Sequence, residues 1–227
     1  MSGCEQCLIR EFGSLRALKP EELKAMSDEK DIVSFGKGDV IFEEGQILKG
    51  VYCLKEGACK MSRLNANGKE QIVKFLKKGD MLGYRSVLSE EPTTLTVTAL
   101  QDLQACFIPK KEIFYAIEHN PKFSMDMMRT VCSDLRDANM AVSNMAQKNV
   151  KQRLADAIIF LKETFGEKDN YINISLTREE LASIVGTATE SAIRILSEFK
   201  KEKLLDIKGK QLSILDEAGL LRLAKGF

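Results

Sequence analysis

Residues 175–215 read SLTREELASIVGTATESAIRILSEFKKEKLLDIKGKQLSIL, and this stretch decides the fold. Thr177-Arg178-Glu179-Glu180 is a capping box. A threonine at the N-cap and a glutamate three residues on satisfy two backbone N–H groups that a helix start leaves unpaired. Leu181, Ile184 and Val185 then fall on one helical face. Gly186 ends the helix, because glycine enters the left-handed region without a Cβ clash. Thr187-Ala188-Thr189-Glu190 repeats the capping pattern and predicts a second helix from there. Ala192, Ile195, Leu196 and Phe199 sit at i, i+3, i+4 and i+7 and form its inward stripe. Residues 206–214 follow as a hairpin with Gly209 at the turn. Two helices joined by a tight glycine turn, with a wing after them, form a winged helix-turn-helix, whose second helix enters the DNA major groove.

The outward face of that second helix carries Thr189, Glu190, Ile193, Arg194 and Ser197. Arginine donates two hydrogen bonds to guanine, glutamate accepts from cytosine, and an aliphatic side chain packs on a thymine methyl. Glu190 and Arg194 are four apart and project together, with Ile193 between them. The ordinary alternative is a Glu190–Arg194 surface pair contributing a few tenths of a kcal/mol, with Ile193 an exposed aliphatic. Lys200, Lys201, Lys203, Lys208 and Lys210 follow closely, interrupted by Glu198 and Glu202. They suit phosphate contact, or else form a solvated face. The candidate DNA-contact set is Thr177, Thr187, Thr189, Glu190, Ile193, Arg194, Lys201 and Lys208.

The run LTREELASIVGTATESAIRILSEFKKEKLL resembles the helix-turn-helix of the cyclic AMP receptor protein / fumarate-and-nitrate regulator (Crp/Fnr) family of bacterial transcription factors. In that family the positions matching Glu190 and Arg194 read the half-site. The resemblance also covers GDVIFEEG, KEGACKM and NGKEQIVKFLKKGDMLG, which are similar to the family's cyclic-nucleotide-binding barrel. The pattern of residues 31–108 agrees: short strand-like runs alternate with glycine and asparagine turns, as in an antiparallel barrel or jelly roll. The resemblance implies a cytoplasmic homodimer that reads a palindrome in double-stranded DNA and works with RNA polymerase.

It also locates an effector cassette at Gly83, Tyr84, Arg85 and Ser86 with Thr93 and Thr94. Cyclic-nucleotide binders carry Gly-Glu-Leu there, then Arg-Ser or Arg-Ala. The glutamate accepts from the ribose hydroxyl and the arginine holds the cyclic phosphate. In this sequence Tyr84 stands at the glutamate position and Thr93 near the arginine position. Both charged contacts are missing, so cyclic AMP is not expected. Arg85 suits another anion or a structural ion pair.

Between barrel and helix-turn-helix, Phe123, Met127, Val131, Leu135, Ala138, Val142 and Met145 recur at alternating threes and fours. That is a coiled-coil-like stripe on one long helix, suited to dimerisation; packing on its own barrel is the alternative. The expected organisation is α+β. An effector-sensing β-barrel domain with N-terminal helices occupies 1–120, a dimerisation helix and hinge 121–147, and the winged helix-turn-helix 148–227.

Composition removes other classes. The 227 residues carry a formal net charge of +1, so charge alone announces no nucleic-acid partner. No apolar run approaches the ~20 residues of a membrane span, and the N-terminus has no secretory pattern. One histidine, His119, lies outside the barrel, whereas a metal-dependent jelly-roll oxygenase needs two or three inside it. No enzyme activity is expected. Six cysteines without export suggest reduced thiols. Some Crp/Fnr members hold an iron–sulfur cluster through clustered N-terminal cysteines and one in the barrel, and ligation generally takes four. After Cys4-x-x-Cys7 the next cysteine is Cys53, so the close third ligand is absent and a cluster is not expected. Metal or redox sensing at Cys4 and Cys7 is the alternative function. Cys53, Cys59, Cys106 and Cys132 lie in apolar contexts where cysteine packs as a small hydrophobe.

Overall fold

Alternating short apolar runs and turns fold into eight antiparallel strands in a computed structural model that describes residues 13–226. Cys4 and Cys7 lie outside the described residues. The strands are β1 (Asp31–Phe35), β2 (Val40–Phe42), β3 (Gly50–Glu56), β4 (Ala58–Leu64), β5 (Glu70–Lys77), β6 (Met81–Leu82), β7 (Thr96–Ala99) and β8 (Leu103–Pro109). They form two four-stranded sheets, ordered β1-β8-β3-β6 and β2-β7-β4-β5. The sheets are not joined into a closed barrel, so the jelly-roll half of the expectation describes them. Both contribute to one core, with Val51, Leu54 and Ile108 from the first and Phe42, Cys59 and Val97 from the second. Tyr52 on β3 packs against Phe35, Phe42 and Phe107, at ring-centroid distances of 6.3, 6.2 and 5.1 Å. Gly50 opens β3 opposite Pro109, and a Cβ there would run into the carbonyl of Ile108. Asn65 closes the β4–β5 turn by accepting from the N–H groups of Asn67 and Lys69, both at 3.0 Å. Gly68 takes a φ of +72° there, as the Asn67-Gly68 pair predicts.

A 3-10 turn (Ser14–Ala17) and α1 (Pro20–Asp28) lay Leu15, Leu18, Leu23 and Met26 on this core, and Pro20 takes the first helical position. Helix α2 (Tyr84–Ser89) lies between β6 and β7, and α3 (Lys110–His119) follows β8. Asn120 then caps α4 (Pro121–Gln147), its side-chain oxygen accepting from the N–H of Phe123 at 3.0 Å. Its amide donates to the Ala17 carbonyl at 3.0 Å and to Glu22 at 2.7 Å, fixing the N-terminal helices to the start of α4. The apolar stripe of α4 divides. Phe123 and Met127 are buried in the sheet core, while Val131, Leu135, Val142 and Met145 are exposed. Cys132 is exposed on the same helix, contrary to the expectation that it packs as a buried hydrophobe. At mid-helix the apolar side chains pass beyond the sheets, and Cys132 shares that open surface.

Residues up to Arg63 and Val73–Asp137 cluster as one compact unit; Leu64–Ile72 and Ala138 onward form a second. In the second, α5 (Val150–Phe165) is capped by Asn149 and ends at Gly166. Leu154, Ile158 and Leu161 face inward from it. A turn at 168–170 joins two short strands, β9 (Glu167–Lys168) and β10 (Tyr171–Ile172). Asp169 and Asn170 have φ of +52° and +65°, the left-handed pair that a tight hairpin requires. Helices α6 (Arg178–Val185) and α7 (Thr189–Lys201) follow, then the paired strands β11 (Leu205–Lys208) and β12 (Gln211–Ile214). Helix α8 (Glu217–Lys225) is capped by Asp216, which accepts from the N–H of Gly219 at 2.8 Å. The described helices include none long and apolar enough to cross a membrane.

Candidate DNA interface

The first capping box forms as the sequence requires. The Thr177 hydroxyl accepts from the Glu180 N–H at 3.1 Å, and the Glu180 carboxylate accepts from the Thr177 N–H at 2.8 Å. Gly186 ends α6 with a φ of +65°, its N–H bonded to the Ala182 carbonyl. The second capping box does not form. Thr187 donates its N–H to the Ala182 carbonyl at 3.0 Å and so completes the termination of α6. Helix α7 therefore starts at Thr189, with Ala188 as its N-cap and no side-chain cap. Thr187 lies one residue before the cap position, so its hydroxyl does not cap α7.

Ala192, Ile195, Leu196 and Phe199 are buried, as their spacing predicts. That burial fixes the rotation of α7 and turns Glu190, Ile193, Arg194 and Ser197 to solvent, with Thr189 half-buried beside them. Arg194 does not pair with Glu190. It bridges one turn the other way, to Glu198 at 2.7 Å, with 70% of its own side chain exposed. Lys201 and Lys208 are exposed. Lys200 instead serves the wing, donating to the Ile207 carbonyl at 3.0 Å and pairing with Asp206 at 3.2 Å. That pairing, together with the Ile207 N–H, holds the Asp206 carboxyl below its ordinary range.

Two arginines outside the sequence-derived set hold the motif together. Arg153 of α5 donates to the Val185 carbonyl at 2.9 Å, at the end of α6, and to the Lys148 carbonyl at 2.6 Å. It supplies the last carbonyls of a helix with a cation, which also suits the helix dipole. Arg178 reaches from the start of α6 to the Gly209 carbonyl at 2.8 Å and ties the wing turn to the helix-turn-helix. Nothing in local spacing marks either contact, since their partners lie about thirty residues away in sequence. The Ser183 hydroxyl of α6 donates to the Glu70 carbonyl at 2.7 Å and accepts from the Ile72 N–H at 2.8 Å.

The candidate effector cassette is brought together in the first unit. Gly83 precedes α2 with a φ of +78°. The Tyr84 hydroxyl donates to the Asp134 carboxylate of α4, and Lys74 pairs with the same carboxylate at 2.6 Å. Burial and the Asp134 bond push the Tyr84 hydroxyl well above the ordinary phenol range. Asp80, half-buried nearby, is raised by desolvation. Ser86 and Thr93 are buried. Thr93 donates to the Glu43 carbonyl and accepts from the Gln46 N–H at 3.2 Å, a loop-fixing role. Arg85 pairs with Glu91 at 3.2 Å, both largely exposed, and Thr94 is exposed. Among the described residues no cluster of three or more potential ligands could hold a metal.

Comparison with known proteins agrees with this arrangement. The cyclic nucleotide-binding domain model matches residues 32–120, and the Crp-like helix-turn-helix domain model matches residues 152–223. Transcriptional activator protein FnrA of Stutzerimonas stutzeri is 26% identical over 230 residues, covering 98% of this chain and 93% of the relative. The CRP-like cAMP-activated global transcriptional regulator of Mycobacterium tuberculosis is 24% identical over 221 residues, covering 96% and 99%. A solved Crp/Fnr-family regulator from Eubacterium rectale shares the fold with a TM-score of 0.77 at 20% identity, covering 93% of this chain and 97% of its own. The chain belongs to the Crp/Fnr family of DNA-binding transcription regulators, which are not enzymes, and its sensing domain is of the cyclic nucleotide-binding kind.

The two threonines that look alike in sequence should behave differently. Thr177→Ala removes a formed N-cap and should cost about 1 kcal/mol in urea unfolding. Thr187→Ala removes a side chain that caps nothing and should stay within about 0.5 kcal/mol. Equal losses would show that Thr187 caps α7 after all.

Proposed function

We propose that the protein regulates transcription as a homodimer that reads a two-fold symmetric DNA site, with α7 of each copy in the major groove. The observation that carries this reading is the polarity of α7: a fully buried apolar stripe backs an exposed face bearing Glu190, Ile193 and Arg194. Thr189 and the Thr177 and Thr187 hydroxyls flank it, and Lys201 and Lys208 border it as phosphate contacts. Magnitudes favour DNA over the ion pair as the partner of Arg194. An exposed i,i+4 pair contributes about 0.3–0.5 kcal/mol, whereas a bidentate arginine–guanine contact is worth about 1–3 kcal/mol. Arg194 leaves Glu198 at small cost.

The second support is the exposed part of α4. Val131, Leu135, Ala138, Val142 and Met145 keep heptad-like spacing along a surface that their own chain does not cover. A second copy of the same helix would bury them, and two-fold symmetry would follow. On this reading 1–120 senses, 121–147 dimerises and 148–227 binds DNA. The protein acts in the cytoplasm beside RNA polymerase. Cyclic AMP is not its effector, because Tyr84 is engaged by Asp134 and Thr93 by the Glu43–Gln46 loop, where the nucleotide's charged partners would stand.

Selection from a random DNA pool should return half-sites centred about 10–10.5 base pairs apart. Arg194→Ala should cost about 1–3 kcal/mol per half-site and relax one position. Lys201→Ala or Lys208→Ala should weaken all sequences alike and lower the salt slope by about one. An unchanged motif with Arg194→Ala would mean that another element reads the bases.

Val131→Asp with Leu135→Asp would place carboxylates in the seam and should give a monomer in sedimentation. A dimer that survives both changes has a different interface.

Calorimetry with cyclic AMP at about tens of micromolar should give no heat of binding, since neither charged contact that would supply the affinity is present. A saturable micromolar isotherm would refute the assignment of Tyr84 and Thr93 to the cassette.

A further inference from the structure

Antiparallel register sets Cys53 of β3 directly opposite Cys106 of β8, between the pairs Tyr52–Phe107 and Leu54–Ala105. Residues opposed in this way project from the same face of a sheet. Their Cα atoms lie about 4.5 Å apart in a non-hydrogen-bonded pair and about 5.5 Å apart in a hydrogen-bonded one. Disulfides span Cα separations of about 4.4–6.8 Å, so the opposed positions lie within reach of a bond without a change of register. Neither residue is in a disulfide in the structure, and each is buried with 9% of its surface exposed. Cys59 on the other sheet is 0% exposed. Its thiol is pushed up strongly by burial and then by the Asp80 carboxylate, which keeps it protonated and inert. Cys132 is exposed on α4.

We propose that Cys53 and Cys106 form a dithiol that hydrogen peroxide converts to a cross-strand disulfide within the sensing domain. The sulfur of one, as thiolate, attacks a peroxide oxygen. The O–O bond breaks, the departing hydroxide takes a proton to become water, and the attacking sulfur becomes a sulfenic acid. The opposed thiol then attacks that sulfur: the S–S bond forms, the S–O bond breaks, and the oxygen leaves as water with the second thiol's proton. Two thiols and one peroxide give one disulfide and two waters, and the two electrons lost by sulfur reduce the peroxide. The strand pairing holds the resolving thiol beside the sulfenic acid, so bond formation outruns further oxidation. A small dithiol reverses the step by exchange. The proposal does not depend on how the protein reads DNA.

The test uses the full chain with Cys4, Cys7 and Cys132 replaced by serine, which leaves Cys53, Cys59 and Cys106. The protein is treated with hydrogen peroxide, alkylated and mapped by peptide mass spectrometry. The expected result is loss of two hydrogens, one linked peptide joining Cys53 to Cys106, an alkylated Cys59, and reversal by dithiothreitol. In Cys106→Ser the linked peptide should vanish and Cys53 should instead be trapped by dimedone as the sulfenic acid. Alkylation of both Cys53 and Cys106 after the oxidation, or a bond from either to Cys59, overturns the proposal. If the triple variant does not fold, the same map on the unaltered protein decides the matter, because the linked peptide identifies itself by mass. There, a bond from Cys53 or Cys106 to Cys4 or Cys7 overturns it equally.

Discussion

The DNA-binding unit depends on the burial of one apolar stripe, Ala192, Ile195, Leu196 and Phe199 on α7. Burying a large aliphatic or aromatic side chain contributes about 1.5–3 kcal/mol, so rotating α7 by a quarter turn would forfeit several times the worth of any surface pair. The rotation is therefore fixed by packing, and the exposed face follows as a consequence. Glu190, Ile193 and Arg194 point outward because the residues between them point inward. The polar contacts around α7 refine this arrangement. Arg153 closes the end of α6, Arg178 holds the wing turn, and Lys200 braces β11, each through a backbone carbonyl.

In the sensing domain the same economy of burial has a different result. The sheets share one core and leave the cassette to be held by polar groups. Tyr84 and Lys74 converge on Asp134, so a residue on the long helix α4 is hydrogen-bonded to the first residue of α2. At the candidate cassette, Tyr84 and Thr93 are a phenol and a hydroxyl already bonded to protein. Arg85 is paired with Glu91 at the surface.

The opposed cysteines illustrate what a register can add to a sequence. Cys53 and Cys106 are more than fifty residues apart, and neither carries a local signal of reactivity. Pairing of β3 with β8 sets them directly opposite one another, while Cys59, close to Cys53 in sequence, sits sealed on the other sheet. Proximity along the chain and proximity in the fold separate the three thiols in opposite ways.

Sequence alone determined whatever rests on local periodicity and local caps. The Thr177 box, the Gly186 turn, the inward stripe of α7, the hairpin at Asn67-Gly68 and the long run of α4 all follow from residues within a few positions of one another. Only the tertiary structure decided matters with two claimants or distant partners. Thr187 is a candidate cap for α7 in sequence, but the helix starts one residue later than that role needs, with Ala188 at the cap. Arg194 could pair with Glu190 or Glu198, equal in spacing, and took Glu198. The stripe of α4 reads as continuous, yet only its first turns meet the sheets, because a helix of 27 residues outruns the core beneath it. Arg153, Arg178 and Asp134 acquire their roles from carbonyls and hydroxyls far along the chain. A sequence records such contacts only as residue types, and long-range packing alone fixes which groups meet.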